Sequence, residues 1–362
     1  MIERVERLPK PKPDVENVLA VMRCHRPERI PLLELKFDDE MMSALLDAPL
    51  IKWSRDASPE QRRKAVEHLV DPMHRMGFDV FRLRTNIPFT IHRERLADTA
   101  DLSRGQREWQ DEHGGPIRSF ADFEHYPWPT LSDVDFGPVE EVGRALPEGM
   151  ACLGFCGGVF EWSTWLMGTE NFMMALYEAP DLVEAITSRV GTLIYECFER
   201  WCSVDYVPIL WLADDLGFKT ATLIAPEHIR RYCLPWYRRY ADLAHRSGRL
   251  FMLHSCGYVE SIMPDLAEAG VDAKHSFEDV IEPVEKFVCR WAGQVAGIGG
   301  VDVDLLARGS EESVTRRTDH ILRTCAPLGG YAAGSGNSVT NYIPVNHYLA
   351  MLETVHRFNG RM

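Results

Sequence analysis

The chain has 362 residues, 45% of them hydrophobic, and a formal net charge of −14. This hydrophobic content suffices for a large core in one domain, and the acidic balance argues against nucleic-acid binding, which needs a basic face. No apolar run reaches the roughly 18 residues of a membrane span, and residues 1–7 lack the apolar core of a signal peptide. The nine cysteines lack paired spacings, which favours reduced thiols and a cytoplasmic location.

The first predicted elements follow an N-terminal extension with prolines spaced over residues 9–13. Residues 30–35 predict a first strand, because apolar side chains form a short run there. Helical patterns follow over 38–47 and 58–76, and the second begins with Ser-Pro-Glu, a good start for a helix. Residues 78–83 predict the second strand.

Residues 85–130 then interrupt the alternation of strands and helices. Three stretches, 91–96, 107–111 and 116–120, alternate enough to predict short antiparallel strands. The segment is too short to own a core, so it is interpreted as a β-rich excursion within a single domain that spans residues 1–362.

The rest of the chain returns to alternating strand-like and helix-like segments. Six more strands are predicted, over residues 150–156, 208–212, 250–253, 271–274, 294–298 and 330–333. The main helices between and after them are predicted over residues 180–201, 226–247, 258–269, 282–290, 310–325 and 345–358. Eight strands with intervening helices predict a (β/α)8 TIM barrel. A doubly wound sheet is the alternative, but it predicts a glycine-rich turn after the first strand, and this sequence has none there.

Two possible metal ligands stand at the end of the predicted strand 250–253. His254 and Cys256 are two residues apart, so in an extended chain their side chains lie on one face. An imidazole and a thiolate are good zinc ligands. The alternative is a buried cysteine packing as a small apolar side chain beside a hydrogen-bonded histidine.

Other polar residues follow the predicted strands at the same end of the barrel, where barrel enzymes carry their chemistry. Asp214 and Asp215 could act as a general base or anchor a substrate, or one of them could cap backbone N–H groups in a turn. His275 could be an ordinary histidine satisfied by a carbonyl group. Glu278 could simply complement a helix dipole.

Several motifs of this sequence resemble those of the uroporphyrinogen decarboxylase superfamily. His-Ser-Cys-Gly at 254–257 precedes a helix that ends in Asp-Leu-Ala-Glu-Ala-Gly at 265–270, and Ala-Asp-Asp-Leu-Gly stands at 213–217. Gly-Gly-Val-Asp at 299–302 and Gly-Ser-Gly at 334–336 fit the same superfamily. The resemblance covers most of the chain and implies a (β/α)8 barrel, in agreement with the strand count.

Within that superfamily, the chain is more similar to the cobalamin-dependent methyltransferases than to the true decarboxylases. It lacks the arginine-rich N-terminal segment that grips the tetrapyrrole in decarboxylases. The methyltransferases hold zinc with His-x-Cys and a distant Cys, so the resemblance implies His254 and Cys256 as ligands. Ser335 stands where that group has its second cysteine, and the third ligand would have to come from Glu278, His275 or Asp214.

The resemblance therefore implies a zinc-dependent methyltransferase that uses a methyl-corrinoid on a partner protein or a small methylated substrate. The expected metal ligands are His254, Cys256 and Glu278. The remaining site residues are Asp214 and Asp215 as catalytic groups and His275, Ser335 and Asn337 as substrate contacts. A homodimer is a further expectation. Two alternatives stay open: decarboxylation of a tetrapyrrole without a metal, and a non-catalytic corrinoid- or tetrapyrrole-binding module.

Overall fold

The computed structural model describes residues 2–100, 102–103, 105–111 and 113–362, and three of the positions outside these ranges fall in the predicted excursion. A seven-stranded parallel sheet has the order β1-β4-β5-β6-β7-β8-β9, and β2 pairs with β3 in a separate antiparallel ribbon. In chain order the strands are β1 Val80–Arg84, β2 Arg93–Ala97, β3 Gln106–Gln110, β4 Ala151–Gly157, β5 Ile209–Ala213, β6 Leu250–His254, β7 Ala273–His275, β8 Ala296–Ile298 and β9 Tyr331–Ala332.

The eighth position of the barrel is filled by the segment that was predicted as the first strand. Residues 30–35 run parallel to β9 but form a single bridge, Leu32 with Ala333, and no regular strand. Pro31 has no N–H to donate. The backbone of Gly334 also lies so close to Leu33 that a Cβ at position 334 would overlap the carbonyl oxygen of Leu33. The (β/α)8 fold is confirmed, with seven regular strands and one irregular segment.

The same segment is fixed to the other edge of the sheet by a partly buried ion pair. Arg29 donates to the carboxylate of Asp79, with Nη1 2.9 Å from Oδ2. Asp79 is fully buried and directly precedes β1. Its Oδ1 also accepts the backbone N–H of Asp14 at 2.7 Å. These contacts place the start of the irregular segment beside the start of β1.

Sixteen α-helices surround the sheet within the described part of the chain. They are α1 Ile2–Glu6, α2 Val15–Met22, α3 Asp39–Leu46, α4 Pro59–Met76, α5 Phe120–His125, α6 Val139–Ala145, α7 Val159–Met167, α8 Thr169–Glu178, α9 Pro180–Cys202, α10 Pro226–Tyr232, α11 Leu234–Arg246, α12 Met263–Glu268, α13 Val284–Arg290, α14 Val303–Arg308, α15 Glu311–Cys325 and α16 Val345–Phe358. None of these helices is both long and apolar enough to cross a membrane.

Two predicted helices are interrupted for identifiable reasons. The helix predicted over 226–247 is two helices, α10 and α11, divided at Cys233. Pro235 follows two residues later, and a proline cannot donate the N–H that a continuous helix needs. The helix predicted over 258–269 is shorter, because a 3-10 turn over Glu260–Ile262 precedes α12.

Alternate residues of the parallel strands point into the barrel and out toward the helices. On β5, Ile209, Trp211 and Ala213 belong to the interior cluster, which also contains Leu33 and Leu35 from the irregular segment. The intervening residues of β5 pack instead against the surrounding helices. A period of two places every second side chain on one face, so residues that continue this register beyond the strands face the barrel mouth.

The excursion contains the antiparallel ribbon that the sequence predicts in part. β2 and β3 pair in register from Arg93 with Gln110 to Ala97 with Gln106. The third predicted strand, 116–120, is wrong, since residues from Phe120 onward form α5 behind an N-cap at Ser119. The assignment of the whole chain to a single domain stays a prediction.

Candidate metal centre

The carboxyl ends of β5 and β6 are held together where the candidate residues emerge. Ala213 and His254 are partners in the sheet, and the N–H of Asp214 donates to the carbonyl of His254 at 2.9 Å. The two loops then touch at glycines: a Cβ at Gly257, whose φ is 74°, would overlap the backbone of Gly217. Glycine tolerates both the positive φ and the close approach.

Three side chains converge at this junction. The Sγ of Cys256 lies 3.4 Å from Nε2 of His254, and Oδ1 of Asp215 lies 3.4 Å from the same nitrogen. All three ligand atoms fall within 4.8 Å of one another. His254 is 4% exposed, while Asp215 and Cys256 are half-buried. The structure thus brings together a nitrogen, a sulfur and a carboxylate oxygen at the barrel mouth.

The spacing of these atoms suits zinc. Tetrahedral Zn²⁺ with bonds of about 2.0–2.3 Å holds a nitrogen ligand about 3.3–3.6 Å from an oxygen or sulfur ligand. Both measured distances from His254 Nε2 are 3.4 Å. Three protein ligands of this kind leave one position open, as in catalytic zinc sites. The donor set therefore fits a zinc ion with one coordination position for another molecule.

A chain of hydrogen bonds behind His254 determines which ring nitrogen faces the cluster. The carbonyl oxygen of Ser335, which can only accept, lies 3.3 Å from Nε2 of His275. His275 therefore carries its proton on Nε2, and its Nδ1 accepts from Nδ1 of His254 at 2.7 Å. Burial first, and then the neighbouring charge of His254, keep the pKa of His275 well below its usual value. Nε2 of His254 is left facing Cys256 and Asp215, as metal ligation requires.

Polar groups surround the sulfur of Cys256. Nδ2 of Asn337 donates to Sγ at 3.1 Å, and Oγ of Ser276 lies 3.9 Å away. Burial and the carboxylate of Asp215 nevertheless raise the pKa of the thiol. Burial would also raise the pKa of Asp215, but His254 and the N–H of Cys256 lower it to about 2. A cation at this position would favour the thiolate, because metals lower the pKa of a bound thiol.

Asp214 points away from this cluster and holds the start of α7. Its carboxylate accepts the backbone N–H groups of Phe160 at 2.9 Å and Glu161 at 2.8 Å. It also accepts the hydroxyl of Tyr237 at 2.6 Å. Burial raises the pKa of Asp214 to about 6. Of the two aspartates predicted as catalytic, only Asp215 lies among the candidate ligands.

A cavity of about 1420 Å³ opens at the mouth of the barrel. Asn337 lines it, and so does Glu278, which the sequence suggests as a ligand but which lies outside the cluster formed by the described residues. Burial and the charge of Asp302 raise the pKa of Glu278. Six aspartate or glutamate and five lysine or arginine side chains line the cavity, so its charge is nearly balanced.

Ser335 is fully buried, and its hydroxyl points to Glu34. Oε2 of Glu34 is hydrogen-bonded to Oγ of Ser335, and Oε1 accepts the Ser335 N–H at 2.9 Å. Tyr348 donates to the same Oε1 at 3.3 Å. Burial raises the pKa of Glu34 to about 8. Of the three residues predicted to contact substrate, Asn337 lines the cavity, whereas His275 and Ser335 lie behind the ligands.

Sequence reasoning assigned no role to three ionisable residues of the barrel, Glu34, Glu161 and Arg82. No motif around Glu34 in the sequence indicates a role for it in the site. Glu161 lies close enough to Asp215 and Asp214 for their charges, added to burial, to raise its pKa well above normal. Arg82 follows Val80 on the interior face of β1, and its guanidinium lies 4.2 Å from the ring centre of Phe155. The alternation of β1 is the one signal that could have indicated Arg82.

A parallel barrel that gathers polar ligands at the carboxyl ends of its strands has the arrangement typical of barrel enzymes. The chain belongs to the uroporphyrinogen decarboxylase (URO-D) family, whose model matches residues 14–358. No curated protein sequence is a significant match to the chain.

Two solved structures align with more than nine-tenths of this chain. A methyltransferase from Methanosarcina mazei superposes with a TM-score of 0.68 at 15% identity, covering 96% of this chain and 99% of the other. A glycoside hydrolase family 5 mannosidase from Rhizomucor miehei gives a TM-score of 0.47 at 8% identity, covering 92% and 95%. At such low identity, the similarity to the methyltransferase shows a shared fold.

Proposed function

We propose that this protein is a zinc-dependent methyltransferase in which Asp215, His254 and Cys256 hold the metal. The observation that carries the proposal is the convergence of one oxygen, one nitrogen and one sulfur within 4.8 Å at the barrel mouth. Asp215 takes the place of Glu278 as the third ligand. Membership of the URO-D family and the fold shared with a methyltransferase support the reaction class.

Bound zinc would lower the pKa of an acceptor thiol at its open position and present that thiol as a thiolate. The residues of the chain prepare this site. His275 orients the ring of His254 through the bond between their Nδ1 atoms. Asn337 donates to the sulfur of Cys256, which stabilises negative charge on that atom. In the reaction, the acceptor sulfur forms a bond to the methyl carbon while the bond to the donor breaks and its electron pair stays on the donor.

Asn337, whose side chain contacts Cys256, also lines the cavity at the barrel mouth, and the size of this cavity suits a bulky methyl donor. Ordinary small-molecule pockets measure about 300–1000 Å³, and this one is larger, at about 1420 Å³. A corrinoid carried by a partner protein would need such an opening. Its balanced charge is unsuited to a polycarboxylate tetrapyrrole, which calls for a basic mouth. Methyl transfer is therefore favoured over decarboxylation.

Metal analysis of the purified protein tests the proposal. After dialysis against a weak chelator, we expect about one zinc ion per wild-type chain by mass spectrometry, the amount that one three-ligand site holds. His254→Ala and Cys256→Ser should lose the ion, and Asp215→Asn should retain less than the wild type. Each variant removes one donor atom from a site with only three.

Matched variants outside the cluster provide the controls. Cys289→Ser changes an exposed cysteine, and Glu278→Gln changes the carboxylate that lines the cavity. Both should keep the wild-type zinc content. Full zinc in both His254→Ala and Cys256→Ser would end the proposal. Turnover assays of the zinc-loaded protein with methylcobalamin and a thiol, and in parallel with uroporphyrinogen, then separate methyl transfer from decarboxylation.

A further inference from the structure

The hydroxyl of Ser335 lies between two oxygen atoms that both need its single hydrogen. One is Oε2 of the buried Glu34. The other is the backbone carbonyl oxygen of Asn337, 2.6 Å from Oγ. A serine hydroxyl donates one hydrogen bond and accepts others. One of these two short contacts must therefore receive its hydrogen from elsewhere.

Only one arrangement of protons satisfies both contacts. The carbonyl of Asn337 cannot donate, so the Ser335 hydrogen must point to it. Glu34 must then carry a proton on Oε2 and donate it to Ser335 Oγ. With Glu34 ionised, either two oxygens would face each other without a hydrogen between them, or the Asn337 carbonyl would lose its donor.

The surroundings of Glu34 agree with a neutral carboxyl group. Glu34 is 5% exposed, and burial of a carboxylate without a cation is unfavourable. Among the described residues, the ionisable groups that act on Glu34 are phenols: Tyr348 on α16, which donates to Oε1, and Tyr331 on β9, whose pKa a charge on Glu34 would raise. Burial raises the pKa of both phenols, so neither supplies a charge.

This arrangement connects Glu34 to the cysteine of the candidate metal centre. The Ser335 hydroxyl fixes the backbone of Asn337, and the side chain of Asn337 donates to Cys256 Sγ at 3.1 Å. The carbonyl of Ser335 also begins the chain through His275 to His254. Glu34 holds the N–H of the same Ser335 at 2.9 Å. Ser335 therefore connects one buried carboxyl to two of the three candidate ligands.

We propose that Glu34 is a positioning residue: its protonated carboxyl orients Ser335, and Ser335 in turn holds Asn337 against the sulfur of Cys256. Ionisation of Glu34 draws the Ser335 hydrogen away from the Asn337 carbonyl and loosens the contact with Cys256. The site is thereby in its ordered form on the acid side of the Glu34 titration. The consequence for methyl transfer rests on the proposed function, whereas the hydrogen-bond network is independent of it.

Infrared spectroscopy of the metal-free protein tests the protonation of Glu34. At about pH 6, where an ordinary glutamate with a pKa of about 4.3 is ionised, we expect a carboxylic C=O band that Glu34→Gln lacks. The band should fade as the pH rises through the titration of Glu34. In Ser335→Ala it should shift in frequency, because the carboxyl loses its acceptor. Identical spectra for the wild type and Glu34→Gln would overturn the proposal. A Glu34 band with the same frequency in Ser335→Ala as in the wild type would overturn it as well.

Alkylation of Cys256 tests the positioning effect. The modification is measured on the isolated peptide by mass spectrometry, so other cysteines do not interfere. Loss of one hydrogen bond to the thiolate should raise the pH midpoint of alkylation by about one unit, which lowers the alkylation rate about tenfold at a fixed pH below the midpoint. We expect this shift in Asn337→Ala and in Ser335→Ala. Glu34→Gln should not raise the midpoint, because its amide N–H donates to Ser335 at every pH, whereas the wild-type carboxyl loses its proton as the pH rises through about 8.

The control for the loop is Thr340→Val, since the Thr340 hydroxyl has no hydrogen-bond partner among the described residues. It should leave both measurements unchanged. Equal midpoints in the wild type, Ser335→Ala and Asn337→Ala would refute the link to Cys256. A shift in Glu34→Gln as large as in Ser335→Ala would refute the protonated state. Both experiments use metal-free protein, so their failure is distinct from a failure to bind zinc.

Discussion

Replacement of Asp214 by alanine should destabilise the fold strongly. The carboxylate accepts hydrogen bonds from the N–H groups of Phe160 and Glu161 and from the Tyr237 hydroxyl. Each buried donor left unsatisfied costs about 1–3 kcal/mol, so the three sum to about 3–9 kcal/mol. Water that enters the vacated space offsets part of this loss, and we expect about 3–5 kcal/mol.

Asp214→Asn should fall between the wild type and Asp214→Ala. An amide oxygen in place of Oδ2 keeps the bonds from Phe160 and Tyr237, but its NH₂ group then faces the N–H of Glu161, at a cost of about 1–3 kcal/mol. Asp181→Ala is the matched control, because Asp181 is an exposed aspartate in the first turn of α9. Its loss should cost less than about 1 kcal/mol.

Urea unfolding of the metal-free proteins, followed by circular dichroism and tryptophan fluorescence, measures these differences. The expected order of midpoints is wild type and Asp181→Ala, then Asp214→Asn, then Asp214→Ala. If Asp214→Ala unfolded at the wild-type midpoint while turnover was lost, Asp214 would act in the chemistry, and its role as a helix cap would be refuted.

Three further changes have defined outcomes. Burial raises the pKa of Glu34 from 4.5 to about 8, so the stabilising effect of its protonated form is present below pH 4.5 and is lost as the pH rises through 8. Glu34→Gln should remove up to about 5 kcal/mol of this pH dependence of the unfolding free energy, measured by urea titrations at several pH values. An unchanged pH profile would contradict this prediction. Burial lowers the pKa of Lys274 from 10.5 to about 8. Lys274→Met should therefore raise the unfolding free energy at pH 7 by about 1–3 kcal/mol, a gain that shrinks above pH 8 and disappears near pH 10.5. A lower unfolding free energy at pH 7 would show that the hydrogen bond from Lys274 to the Ser276 carbonyl matters more than the cost of burying the charge. Gly257→Ala should lower the thermal midpoint by the equivalent of about 2 kcal/mol or more, since a Cβ there overlaps Gly217. Gly293→Ala, at φ 75° with open space around it, should cost less. Equal shifts in the two variants would contradict a role for the close approach.

The sequence predicts the parts of the fold that depend on short-range patterns. The apolar run that ends in His254 and Cys256 is β6, and the spacing of two places both side chains toward one point, with Sγ and Nε2 3.4 Å apart. The alternation of strands and helices correctly predicts the barrel. These features follow from local periodicity, which a single sequence contains.

Features that depend on long-range contacts could not be predicted in this way. Asp215 meets His254 because β5 pairs with β6 in one register, and nothing near Asp215 in the sequence distinguishes it from Asp214. Glu34 and Ser335 are 301 positions apart. The irregular segment 30–35 matches a strand by its composition, and only the close approach of Gly334 shows why its pairing is limited to one bridge.

The bridge between Leu32 and Ala333 has a consequence for how the protein is made. The barrel closes where Leu32 meets Ala333, so the ribosome must release the chain at least as far as residue 333 before closure can occur. Until then Glu34 has no serine to bond, and the loop that carries Asn337 has not been synthesised. A nascent chain therefore passes through a stage with an open sheet edge, and premature termination before residue 333 would leave a protein that can neither close nor complete its thiol environment.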